Sequence, residues 1–157
     1  MSNGRERVAI IGGMRTPFVK AGTAFSDLTQ LDLSAHAVSG LLEKYQLDAG
    51  TIDLLVWGRV LHDPRISNLA REIVFRLGMP ESIHAYLVSN NCITSIHSIV
   101  EVADAIRSGR AQTGIGGGVE SMSTVPVLFS REASRLFLKA AMARSSSEKL
   151  KTLLKLR

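Results

Sequence analysis

Residues 85–96 read AYLVSNNCITSI, an apolar run, a polar break, and isoleucines that resume at another spacing. Ala85, Tyr86, Leu87 and Val88 suit a buried strand. After the break, Ile93, Ile96, Ile99, Val100, Ala103 and Ile106 recur every three or four positions and predict a helix stopped by Gly109. This strand-to-helix handover decides the fold, because the same unit repeats on both sides of it. Upstream, residues 8–13 (VAIIGG) read as a buried strand closed by glycines, and Leu31, Ala35, Val38, Leu41, Leu42 and Tyr45 give an amphipathic helix. Ile52 and residues 54–58 predict a second strand, and residues 68–77 a second helix, with Asn68 as N-cap and Gly78 as stop. Downstream, residues 113–118 (TGIGGG) predict a glycine-rich fourth strand. Strands that are apolar throughout, alternating with helices, predict an α/β fold: a mixed, mainly parallel sheet with helices on both faces, in the order βαβαβαβ.

Beyond about residue 127 the pattern changes. Ala133, Leu136, Phe137, Ala140 and Ala141 form one helical stripe and Leu150, Leu153 and Leu154 another, with Ser147 as a candidate N-cap between them. The expected organisation is an α/β domain over residues 1–127 and a basic helical segment over 128–157. The charge divides the same way. Residues 130–157 carry eight Lys/Arg against two Glu, whereas residues 1–129 carry eleven against twelve Asp/Glu. Such a segment suits an acidic partner or a membrane surface, or is simply a solvated helical face. Phe137 is the only aromatic among its basic residues, so single-stranded nucleic acid is not an expected partner.

The 157 residues suffice for one ordinary domain, and 45% hydrophobic content fits a soluble globular class. A single cysteine allows no intrachain disulfide and points to a reducing compartment. No apolar run reaches the ~18 residues of a membrane span, and residues 1–7 leave no room for a signal peptide's apolar region. A bacterial cytoplasmic protein, or one already processed, is expected. No His/Cys/Asp/Glu cluster has metal-ligand spacing, so no metal is expected. Gly116-Gly117-Gly118 lacks the spacing of a nucleotide-binding loop; close backbone packing beneath the third helix explains these glycines better.

That leaves Cys92, which has two readings. Free cysteine is commonly a buried small hydrophobe. At the start of a helix, however, unpaired N–H groups and the positive dipole end favour a thiolate. The position just after a strand is also where α/β sheets place their sites, and a backbone N–H there can hold an oxyanion.

Four stretches then settle into a familiar order: Arg15-Thr16-Pro17-Phe18, Asn68-Leu69-Ala70-Arg71-Glu72, Asn91-Cys92-Ile93-Thr94-Ser95, and Gly117-Gly118-Val119-Glu120-Ser121-Met122-Ser123. In register and separation they resemble the N-terminal half of the thiolase family, in particular the 3-ketoacyl-CoA thiolases and the thiolase subunit of the trifunctional β-oxidation complex. The resemblance implies an acetyl-CoA C-acyltransferase in which Cys92 is the acyl-accepting nucleophile, supported by Asn91, Gly117, Gly118, Glu120 and Met122. Coenzyme A would be a substrate, with no resident cofactor. Acyl-CoA, a second copy of the chain and a β-oxidation partner subunit are the implied partners. The tail resembles the start of that subunit's loop insertion, which implies contact of Arg131, Arg135, Lys139 and Arg144 with CoA phosphates or a lipid surface. Related condensing enzymes share the fold but not this combination of motifs. The family's activating histidine, in a Gly-His-Pro stretch, and its second cysteine have no counterpart here. His36, His62, His84 and His97 lie in other contexts and read as structural. The chain alone is therefore expected to be inactive, and a non-catalytic scaffold with an inert Cys92 is the alternative.

Overall fold

The computed structural model describes residues 7–155 and divides into two compact units, Met1–Val125 and Pro126–Arg157. In the first, helices α1 (Gln30–Lys44), α2 (Leu69–Arg76) and α3 (Thr94–Arg107) alternate with strands β1 (Leu54–Gly58), β2 (His84–Val88) and β3 (Gly114–Gly118). The strands form one parallel sheet in the order β2-β1-β3, with Leu54 opposite both His84 and Gly114. All five residues of the central β1 are buried, as an apolar run covered on both faces requires. Leu55, Trp57, Ala85 and Ile115 face a core built with α1 and α2, and Leu54 and Val56 face α3.

Local chemistry sets the helix ends. Thr29 caps α1 in a capping box with Asp32, and the Asn68 side chain accepts the Arg71 amide to start α2. Gly78 and Gly109, with φ of +60° and +71°, end α2 and α3 as expected. Asp53 accepts the amides of Gln112 and Thr113, which ties the entry of β1 to that of β3.

Two expectations need correction. Residues 8–13 join no strand, and Ile10 and Ile11 stand 80% and 81% exposed. The run has strand composition, but the described residues contain no neighbour for it to pair with; the sheet is wholly parallel and three-stranded. The isoleucine stripe of α3 faces largely outward. Thr94, Ser98, Val102 and Ala105 are buried, while Ile96, Ile99 and Val100 are exposed. The glycines of β3 supply the reason. A Cβ on Gly116 would lie 2.8 Å from the Ile99 Cα, and one on Gly114 would lie 2.8 Å from Val102 Cγ1. The helix lies so close to the strand that only small or slender side chains fit between them.

In the second unit, α4 (Arg131–Met142) and α5 (Ser146–Leu153) pack together. Ser130 caps α4, and Ser145 rather than Ser147 caps α5, accepting the Glu148 amide. Ser147 lies inside α5.

Three carboxylates are held below their ordinary range. The Arg65 side chain brings Asp63 down to about 2, the Thr29 hydroxyl lowers Asp32, and the Gln112 amide lowers Asp53. In the window below about pH 4 the unfolded chain binds more protons than the folded one, so these groups stabilise above that pH and lose the effect as pH falls towards 2. The urea midpoint should decline from about pH 4.5 to pH 2, less steeply in Asp63→Asn. A midpoint that does not move with pH would contradict this.

Candidate active site

The carboxyl ends of β1, β2 and β3 carry the residues singled out above. After β2 the chain turns sharply. Asn91 adopts φ +48°, which asparagine tolerates better than most residues. Thr94 fixes the turn: its hydroxyl donates to the Asn91 carbonyl (2.6 Å) and accepts the Asn90 amide (2.7 Å). Thr94 is buried against Gly58, where an added Cβ would lie 2.2 Å from its Cγ2. Cys92 rides on this turn and is exposed. It stands two residues before α3 rather than within the first turn, on the segment that Thr94 ties to Asn90 and Asn91. No side chain caps α3, so the positive end of its dipole is not spent on a capping group.

Gly117 and Gly118 seat that helix. The Ser98 hydroxyl donates to the Gly117 carbonyl (2.7 Å), and a Cβ on Gly118 would lie 2.4 Å from Ser95 Oγ. Glu120 braces the neighbouring loop: one carboxylate oxygen accepts the Val60 and Leu61 amides (3.0 and 3.1 Å), the other accepts the Gln30 amide nitrogen (2.6 Å). Gln30 and Arg59, which sequence reasoning missed, complete this brace. Arg59 is only 2% exposed, and its guanidinium donates to the Ile66 and Asp63 carbonyls and to Gln30 Oε1. Burial pulls its pKa down, against the upward pull of Asp63 and Glu120. No sequence signal marked an arginine following a strand as internal. Replacing Glu120 by alanine removes its hydrogen bonds to two exposed amides and to Gln30, and should cost ~0.5–1.5 kcal/mol in urea unfolding. An unchanged midpoint would show the brace to be dispensable.

Gly117, Gly118, Glu120 and Met122 line one cavity of about 840 Å³, whereas Asn91 and Cys92 lie outside it. Met122 is mostly exposed. His97 bonds Glu101 on its own helix (3.2 Å), and Glu101 also accepts the Tyr86 hydroxyl. His36 contacts the Asp32 carbonyl, and His84 packs its ring at a tilt against Tyr86. Among the described residues no group of three His, Cys, Asp or Glu gathers to hold a metal ion. Arg131, Arg135 and Lys139 lie one turn apart along α4, Arg144 follows it, and all four are exposed.

A family model described as "Thiolase, N-terminal domain" matches residues 8–154. A 3-ketoacyl-CoA thiolase of Colwellia psychrerythraea is 42% identical over 151 residues, covering 96% of this chain and 35% of that one. One from Pseudoalteromonas translucida is 40% identical over 152 residues, covering 97% and 35%. The chain thus spans about a third of the length of the curated relatives it matches. The crystal structure of Acat5 thiolase from Ascaris suum, in complex with coenzyme A, superposes with a TM-score of 0.72 at 26% identity, over 76% of this chain and 31% of that one. The Bacillus anthracis acetyl-CoA acetyltransferase shares the fold, with a TM-score of 0.71 at 22% identity over 74% and 30%.

Proposed function

The chain belongs to the thiolase family, and from that premise we propose that it supplies the nucleophile-bearing third of an acetyl-CoA C-acyltransferase. The reaction is thiolytic cleavage of a 3-ketoacyl-CoA. The Cys92 thiolate adds to the keto carbon, and the bond from that carbon to the α-carbon breaks. Its electron pair leaves on acetyl-CoA, which takes up a proton, and the acyl group stays on sulfur until the thiol of a second CoA accepts it. Splitting one exchange into two thioester steps is the gain from covalent catalysis. The observation that carries this reading is the exposed sulfur on a turn fixed by Thr94, beside an uncapped helix seated on Gly117 and Gly118. Asn91, Gly117, Gly118, Glu120 and Met122 act as structural support of that turn and its rim. The curated relatives carry the name of this activity, and one of the solved structures holds coenzyme A.

The described histidines with recorded contacts are engaged elsewhere, and no second cysteine is available to move the proton. The chain by itself should therefore show little loss of acetoacetyl-CoA absorbance in the presence of CoA, while intact-mass analysis of the chain complemented by the rest of a thiolase should find an acyl adduct confined to Cys92. Robust turnover by the isolated chain would overturn the incomplete-site reading, and an adduct elsewhere would overturn the assignment of the nucleophile.

The same reading assigns the protein to bacterial, cytoplasmic fatty-acid β-oxidation, in an oligomer with a second copy and a β-oxidation partner subunit. Arg131, Arg135, Lys139 and Arg144 then meet CoA phosphates or anionic lipid headgroups, with Leu138 and Met142 exposed on the same helix. Co-sedimentation with phosphatidylglycerol vesicles should fall as salt rises from about 0.05 to 0.5 M, because exposed charges are then screened. Binding that ignores salt would exclude an electrostatic contact.

A further inference from the structure

The turn that carries Cys92 is strung between two elements: β2, which ends at Val88, and α3, which starts at Thr94. Six residues before the cysteine, Tyr86 of β2 donates its hydroxyl to Glu101 Oε2 at 3.2 Å. Five residues after it, His97 in the first turn of α3 meets Glu101 Oε1 at 3.2 Å. One carboxylate thus grips both arms of the turn. Among the described residues the Tyr86 bond is the single side-chain hydrogen bond from α3 to β2, whereas Ser98 ties the same helix to β3. The grip on His97 has no second holder either. Its Nδ1 is buried and without a partner, so among hydrogen bonds Glu101 alone orients the ring. A carboxylate only accepts, which puts the imidazole proton on Nε2.

The geometry points to Glu101 as a positioning residue for Cys92: it clamps β2 to α3 across the turn and so holds the sulfur at the open start of the helix. The inference rests on the proposed acyl transfer only in giving that sulfur a reaction to perform. Thr94 shapes the turn from within, but a turn keeps its place only if its two ends do. Free N–H groups and the helix dipole act on a thiolate within about one helical turn, so a small shift of α3 along β2 changes the stabilisation at the sulfur. The inner face of α3 has few interlocking side chains to resist such a shift, since Thr94, Ser98, Val102 and Ala105 are small or slender and β3 opposes them largely with glycines. The groups around Glu101 suit a clamp at neutral pH. Burial, and then the Glu101 hydrogen bond, push the Tyr86 pKa up, so its hydroxyl stays a donor. Arg110 pulls Tyr86 the other way, and His84 packs beside the phenol ring. β1 and β3 carry no titratable side chain.

The test is alkylation of Cys92 by iodoacetamide in the full chain, followed by intact mass from about pH 6 to pH 10 and read beside the urea midpoint. Glu101→Ala should slow the reaction near neutral pH at least about threefold and move the rate–pH curve upward, because the thiolate loses its fixed place at the helix start. Glu101→Gln keeps an acceptor for Tyr86 and a partner for His97, and should return the rate to within about 1.5-fold of the parent. Tyr86→Phe and His97→Leu each free one arm and should slow alkylation less than Glu101→Ala does. A parent rate in Glu101→Ala, or a lowered urea midpoint with an unmoved pH curve, would overturn the clamp, since the bonds would then serve stability alone. Equal slowing by glutamine and alanine would overturn it too, because charge rather than the two hydrogen bonds would be acting. Tyr86→Phe loses a single oxygen and decides the matter if the alanine variant does not fold: alkylation at the parent rate there sinks the clamp. Acyl transfer is read separately in the complemented chain. Slowed alkylation in Glu101→Ala with no acyl adduct on the parent Cys92 would leave the clamp standing and sink the proposed reaction.

Discussion

Cys92→Ser, in the chain complemented by the rest of a thiolase, is expected to slow thiolysis of acetoacetyl-CoA by at least about a thousandfold, or ~4 kcal/mol of transition-state stabilisation. Serine keeps the side chain's size and position on the exposed turn, so the fold should be untouched. What changes is the nucleophile: an alcohol beside the start of α3 stays protonated at neutral pH, where a thiol yields thiolate far more readily. The acyl adduct seen by mass should vanish with the activity. Thr94→Val is the companion variant. It removes both hydrogen bonds that shape the turn but leaves the sulfur in place, so the adduct should form more slowly without being lost. Serine within about tenfold of the native rate would mean that this sulfur does not carry the acyl group.

Gly116→Ala should be the most damaging single methyl in the chain. The new Cβ would meet the backbone of α3 itself, 2.8 Å from the Ile99 Cα and 2.9 Å from both the Ile99 nitrogen and the Ser98 carbonyl oxygen. A flexible side chain can swing aside, but helix backbone cannot. Either α3 lifts off the sheet or β3 shifts, and overpacking of this kind costs ~1–3 kcal/mol or more. Because Cys92 stands at the head of the same helix, Gly116→Ala should also alter the alkylation rate at that cysteine. Gly13→Ala is the control: nothing lies within 4 Å of its Cβ position, so its urea midpoint should stay near that of the parent. Equal midpoints for the two variants would refute the close helix–strand contact.

The alternation of elements was legible in the residues because each element announces itself locally. Asn68, Gly78 and Gly109 act on the nearest turn of chain, and the apolar run at β1 can only be central. The place of Cys92 between a strand and a helix was also legible, in a stretch of thiolase type. Residues 8–13 misled for a reason of the same kind. Their composition speaks for a strand, but a strand exists only where another backbone lies beside it, and that is a property of distant chain. Arg59 could not be seen as buried, because its satisfaction comes from Gln30 and from loop carbonyls that only folding brings to it. Nor could periodicity say which stripe of α3 would face inward. The apolar side was the natural choice, yet the bare peptide surface of β3 admits only Thr94, Ser98, Val102 and Ala105. Sequence by itself determined which elements form and where they stop, through contacts a few residues apart. Tertiary structure alone decided which faces meet, because the closest approach of two backbones depends on both partners at once.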